Sequence, residues 1–127
     1  MKLLKNENVN ATLLKHLGTH LILDLNGCSQ NLSNIEHIKQ TLITAATTAG
    51  ATVLQVNAHY FEPQGGVSGV ALLSESHISI HTWPEFSYAA IDIFLCSNLD
   101  PDKSIDVLQK AFLPAVTTTT KLKRGIA

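Results

Sequence analysis

Apolar and polar residues alternate in several short runs along this chain, and two longer runs repeat with a helical period. Residues 20–26 (His20-Leu21-Ile22-Leu23-Asp24-Leu25-Asn26) read as a strand that Gly27 ends. Over 32–49, Ile35, Ile38, Leu42, Ile43 and Ala46 fall on one helical face. Asn31 or Ser33 is available as the N-cap and Gly50 as the C-terminal stop. A second strand is expected over 51–59, then a loop carrying Phe61, Pro63 and Gly65-Gly66. Further strands are expected over about 67–73, 77–83 and 88–95. Pro84 ends the middle one because it has no N–H to give to a ladder. Asp100 or Asp102 with Pro101 opens a helix to about 113, where Pro114 stops it. Residues 115–123, with Val and four consecutive Thr, read as a last strand at a solvated sheet edge. Residues 1–16 are weakly patterned and are expected to form a short helix or a loose arm.

The order strand–helix–strand occurs twice. Asp24, Cys28 and Ser29 recur at a constant offset as Asp92, Cys96 and Ser97, which suggests an internal duplication. Two such halves predict an α+β fold: a two-layer sandwich with a mostly antiparallel sheet and helices on one face.

Length and composition narrow the function. A chain of 127 residues is expected to form a single domain, 1–127, and 45% apolar residues suffice for a core. A formal charge of −1 gives no basic footprint for nucleic acid or an anionic membrane. No apolar run approaches the ~20 residues of a membrane span. The Lys-containing N-terminus lacks the apolar stretch of a signal peptide. Two cysteines, Cys28 and Cys96, do not make a disulfide framework, so a cytoplasmic chain with free thiols is expected.

Candidate chemistry is concentrated in residues 73–85, Leu73-Ser74-Glu75-Ser76-His77-Ile78-Ser79-Ile80-His81-Thr82-Trp83-Pro84-Glu85. Glu75-Ser76-His77 sets a hydroxyl between a carboxylate and an imidazole. Taken alone, that pattern is read first as a polar turn before a half-buried strand. A metal is not expected: on a strand His77 and His81 lie roughly 13 Å apart, too far to share one.

Glu75-Ser76-His77-Ile78 followed by His81-Thr82-Trp83-Pro84-Glu85 closely resembles the self-cleavage and active-site segment of the prokaryotic, pyruvoyl-dependent S-adenosylmethionine decarboxylases. Gly18-Thr19-His20, the run from Phe61 to Gly69, and Tyr88-Ala89-Ala90-Ile91-Asp92 leading to Cys96 fit the same family in order. The resemblance implies a proenzyme cut between Glu75 and Ser76 into a β chain of 1–75 and an α chain of 76–127. Ser76 Oγ would attack the Glu75 carbonyl, and the resulting ester would eliminate and hydrolyse to leave a pyruvoyl group where Ser76 stood. That group would form a Schiff base with the substrate amine and take up the electrons left by CO₂. The resemblance further makes His81 the proton acceptor in processing, Ser68 its assistant and Cys96 the proton donor. A thiol with a reference pKa of ~8.5 suits that donor role. Phe61 would stack on adenine, Glu85 would bind the ribose hydroxyls, and Trp83 lies beside them. The product would be the aminopropyl donor of spermidine biosynthesis.

Two alternatives remain open from sequence: a pyruvoyl-dependent arginine or ornithine decarboxylase, and a non-catalytic nucleoside-binding paralogue. Strand geometry adds one expectation. Ser76 and His81, five apart, point to opposite faces of a regular strand and lie roughly 16 Å apart. A C₂ homodimer, with two sheets facing each other in a four-layer αββα arrangement, would bring Ser76 and Cys96 of one subunit to Phe61, Ser68, His81 and Glu85 of the other.

Overall fold

The computed structural model describes residues 15–126. The arm expected over 1–16 therefore lies almost wholly outside the described residues. Six strands form one sheet: β1 (His16–Asn26), β2 (Val53–Phe61), β3 (Gly66–Leu73), β4 (Ser76–Trp83), β5 (Tyr88–Cys96) and β6 (Val116–Ile126). Their spatial order is β2-β3-β4-β5-β1-β6, and every pairing is antiparallel. Two helices, α1 (Ile35–Thr48) and α2 (Ile105–Phe112), contact each other, and α1 packs on β2, β3 and β4. This is the expected α+β two-layer arrangement.

Alternation along the strands decides which face the helices cover. Leu21, Leu23 and Leu25 of β1, Ile78 and Ile80 of β4, and Ile91, Ile93 and Leu95 of β5 are almost wholly buried. They share a core with Ile38, Leu42, Leu108 and Phe112 of the helices. Each such side chain contributes about 1.5–3 kcal/mol by leaving water. The residues between them, including His20, Ile22, Asp24, His77, Ser79, His81, Asp92 and Phe94, are less buried and form the other, uncovered face. Gly18 lies on this face opposite Cys96, and a Cβ there would meet the Phe94 ring at 2.4 Å. The glycine thus makes room for that ring.

The helix ends follow local chemistry, with one correction. Helix α1 starts three residues later than the expected 32, and its N-cap is Asn34, whose side chain accepts from the His37 N–H at 3.1 Å. Asn31 is unavailable for capping because it adopts φ +65° and donates its side-chain N–H to the Ala111 carbonyl. At the other end Gly50 (φ +89°) donates to Thr47 O and Ala51 to Ala46 O, the paired bonds of a Schellman stop. Asp100 caps a 3-10 turn, Pro101–Ser104, which leads into α2. The Thr-rich strand β6 forms one edge of the sheet and is mostly exposed.

Candidate active site

Strand β4 carries candidate chemistry at both ends. At its start the chain turns from β3 through Ser74-Glu75, and Ser76 adopts φ +126°. That region is sparsely populated for any residue with a side chain, so the backbone is strained at the residue after the Glu75 carbonyl. The Glu75 carbonyl oxygen accepts from the Cys96 N–H at 3.1 Å and faces the Cys96 thiol at 3.5 Å. These bonds extend the β4–β5 ladder, whose register pairs Ser76 with Leu95, by one step. Two donors converging on one carbonyl oxygen form the kind of site that stabilises charge developing there.

The rest of the turn is pinned from β2's side. Glu75 Oε1 accepts from the Thr52 N–H at 2.9 Å, and the Ser74 N–H donates to the Thr52 carbonyl at 3.0 Å. Ser76 Oγ lies 3.3 Å from His77 Nδ1, and the His77 ring meets Phe94 edge-on. Cys96 is exposed.

At the far end of β4, register places His81 directly across from Ser68 of β3, and Ser68 Oγ lies 2.8 Å from His81 Nδ1. Both border a cleft of about 230 Å³ whose walls include Phe61, Gln64, Trp83 and Glu85. Phe61 ends β2, is half exposed at 50% and packs edge-on against His59. Glu85 lies in the exposed 3-10 turn Pro84–Phe86. Trp83 stacks on Tyr88, its cross-strand partner, at 5.3 Å between ring centroids. Beneath the cleft, the buried Thr82 Oγ1 accepts from Val67 N–H at 2.8 Å and donates to Leu32 O at 2.7 Å. That hydroxyl ties β3, β4 and the loop before α1 together under the site.

The sequence-predicted residues therefore fall into two groups. Glu75, Ser76 and Cys96 meet at the turn end. Phe61, Ser68, His81, Trp83 and Glu85 meet at the cleft end. The β4 segment between them is unbroken, so within one chain Ser76 and His81 lie roughly 16 Å apart. Ile78, Ile80 and Thr82 are buried, whereas His81 and Trp83 emerge on the uncovered face.

Several contacts were not read from sequence. Thr52 is separated from Glu75 by 23 positions, and nothing local marks its amide as the anchor. The Trp83–Tyr88 stack, by contrast, was available from the tight Pro84–Ser87 connection, which forces a cross-strand pair. On the uncovered face Tyr88 donates to Asp24, and this bond is the main reason its phenol is pushed up to about 12. His20 Nε2 meets Asp92 Oδ1 at 2.9 Å, and Arg124 lies over the Phe94 ring. Burial raises the Cys28 thiol, whereas Cys96 is exposed.

A family model described as S-adenosylmethionine decarboxylase matches residues 19–125. An S-adenosylmethionine decarboxylase proenzyme of Methanococcus maripaludis is 49% identical over 115 residues, covering 89% of this chain and 93% of the relative. One of the same name from Thermomicrobium roseum is 40% identical, covering 89% and 97%. The crystal structure of adenosylmethionine decarboxylase from Aquifex aeolicus superposes with a TM-score of 0.77 at 32% identity, covering 89% of this chain and 94% of that one. With most of its length matched by sequence and by fold, the chain belongs to the S-adenosylmethionine decarboxylase family.

Proposed function

We propose that this protein decarboxylates S-adenosylmethionine after cutting itself between Glu75 and Ser76. The precursor gives a β chain of 1–75 and an α chain of 76–127, and a pyruvoyl group derived from Ser76 begins the α chain. The observation that carries the reading is the Ser76 turn: φ +126° beside a Glu75 carbonyl oxygen that accepts from the Cys96 N–H and faces the Cys96 thiol. An ester is less stable than an amide. Relief of strain and a held oxyanion are what an N→O acyl shift at Ser76 needs.

The residues fit a pyruvoyl group at this point, since the turn offers a serine at the strained position and donors on the preceding carbonyl. Once formed, that group supplies an electron sink for loss of CO₂. The chain's own residues do the rest. Cys96, exposed beside the cut, is the proton donor to the substrate α-carbon. His81, bonded to Ser68, is the proton acceptor that completes processing. Phe61 offers a face to adenine and Glu85 a carboxylate to the ribose hydroxyls, with Trp83 closing the cleft. The product is the aminopropyl donor used to make spermidine. Free Cys28 and Cys96 suit a reducing, cytoplasmic setting. Among the described residues no helix is long and apolar enough to cross a membrane.

The working unit is a homodimer. Ser76 and Cys96 of one subunit face Phe61, Ser68, His81 and Glu85 of the other, giving two sites. Two features support this: the distance along β4, and the helix-free sheet face, where Phe61, Val70, Leu72, Trp83 and Leu122 are exposed. The reading is tested by a denaturing gel with an assay for labelled CO₂ from carboxyl-labelled S-adenosylmethionine. Wild type should give two fragments and release label, and Ser76→Ala should stay one chain and release none. An uncut wild type that still decarboxylates would sink the pyruvoyl mechanism.

A further inference from the structure

The turn end of β4 holds an imidazole to which the proposed mechanism gives no task. His77 Nδ1 lies 3.3 Å from Ser76 Oγ, and the His77 ring is fixed against Phe94 with 6.0 Å between ring centroids. Resting on the proposed self-cleavage, we infer that His77 is the base of its first step, the N→O acyl shift, and that this step is completed within a single subunit.

A base must come within hydrogen-bond reach of the proton it takes, or within reach through one water, and such bonds are often long before the reaction begins. His77 meets that condition. His81 of the same chain, roughly 16 Å along the strand, does not. The Glu75 carboxylate is turned to the Thr52 N–H at 2.9 Å, so the neighbouring acid is engaged elsewhere. The other requirements sit in the same chain: a nucleophile on strained backbone, donors on the carbonyl oxygen, and an anchored residue before the cut.

The step balances without outside help. With the ring proton on Nε2, His77 Nδ1 accepts the hydroxyl proton while Ser76 Oγ adds to the Glu75 carbonyl carbon. The carbonyl electron pair moves onto the oxygen facing the Cys96 N–H and thiol. On collapse the bond from Glu75 C to Ser76 N breaks, and the nitrogen leaves with the proton returned by Nδ1. An amide becomes an ester and a free amine. His81 then serves the later removal of the Ser76 α-proton, a separate event at a different imidazole.

The two steps can be separated chemically, because hydroxylamine cleaves an ester and spares an amide. Full-length precursor is made by pulse-labelled cell-free translation and followed on denaturing gels with and without hydroxylamine. Fragments after hydroxylamine count every chain past the shift, whatever follows. His77→Ala and His77→Gln should pass the shift on the order of 100-fold more slowly than wild type, the scale of a lost general base. Glutamine keeps an acceptor but cannot take the proton, so its failure separates a base from a mere hydrogen-bond partner. Added imidazole should speed His77→Ala, which a purely structural role would not allow. Either variant passing the shift at the wild-type rate overturns the inference. A wild type that never cuts overturns the self-cleavage reading and this inference with it. A wild type that cuts beside equally fast His77 variants overturns this inference alone.

Discussion

Both ends of β4 carry a serine hydroxyl next to a histidine Nδ1, Ser76 with His77 at 3.3 Å and Ser68 with His81 at 2.8 Å. The closer pair belongs to the end where no cut is proposed. Ser68 lies within a regular ladder, directly across from His81, and adopts no positive φ. Ser76 sits at φ +126°, and the carbonyl before it accepts from the Cys96 N–H and faces the Cys96 thiol. Proximity of a hydroxyl to an imidazole therefore does not select the bond to be broken. On the proposed reading, strained backbone and donors on the Glu75 carbonyl do. The cleft end has instead an open aromatic wall, with Phe61 and Trp83 beside Glu85, which the proposal gives to the nucleoside.

The contrast breaks most visibly at Cys96. Cys96→Ala keeps the backbone N–H on the Glu75 carbonyl and loses only the thiol, so at least part of the precursor should still cut. Turnover should then fall by about 100-fold or more, or the product should be released wrongly protonated. Gels together with product analysis check both. Full kcat with normal product would mean that the thiol is not the proton donor.

Substitution of Phe61 or Glu85 at the cleft end should leave the cut at the turn end alone. Phe61→Ala removes an exposed stacking face, a loss of about 1 kcal/mol or somewhat more, and KM should rise by roughly tenfold at nearly constant kcat. Glu85→Gln should act in the same direction. Fragment yield should match wild type in both, and a variant that raised KM by blocking the cut would give Phe61 or Glu85 a part in processing.

The smallest effect concerns Tyr88, beneath Trp83. Its hydrogen bond to Asp24 raises the phenol from the ordinary 10.0 to about 12. The folded state thus holds this proton more tightly than the unfolded chain. The resulting stability is fully present below pH 10.0 and is lost as pH rises towards about 12. Tyr88→Phe should lack that alkaline decline, and its tyrosinate absorbance titration should lack the component near 12. An identical alkaline fall in Tm for both proteins would remove the Asp24 bond from the account.

Much of this layout was legible in the chain. Period-2 alternation gave the strands, because one sheet face is buried under helices and the other is not. Pro84, Gly50, Pro101 and Pro114 marked element ends through local backbone chemistry, and structure and sequence agree there to within a few residues. Local reading failed at Asn31 and Ser33, where the choice of cap depended on the contact of Asn31 with Ala111, 80 positions away. The same limit applies at the site. Glu75-Ser76-His77 stands out in the linear sequence, but the Thr52 anchor and the Cys96 donors exist only once β3, β4 and β5 are in register. Alternation along β4 did supply the separation of Ser76 from His81 on which the proposal of a shared site rests.

Complementation tests that sharing directly. Ser76→Ala and His81→Ala chains are co-expressed with different tags, and mixed dimers are isolated and run on denaturing gels without hydroxylamine. If each site combines the turn end of one chain with the cleft end of the other, one site of the mixed dimer holds both an intact Ser76 and an intact His81. The His81→Ala chain should then be fully processed, although it stalls when expressed alone. Mixed dimers in which no chain completes processing would put the whole site within one subunit and contradict the account.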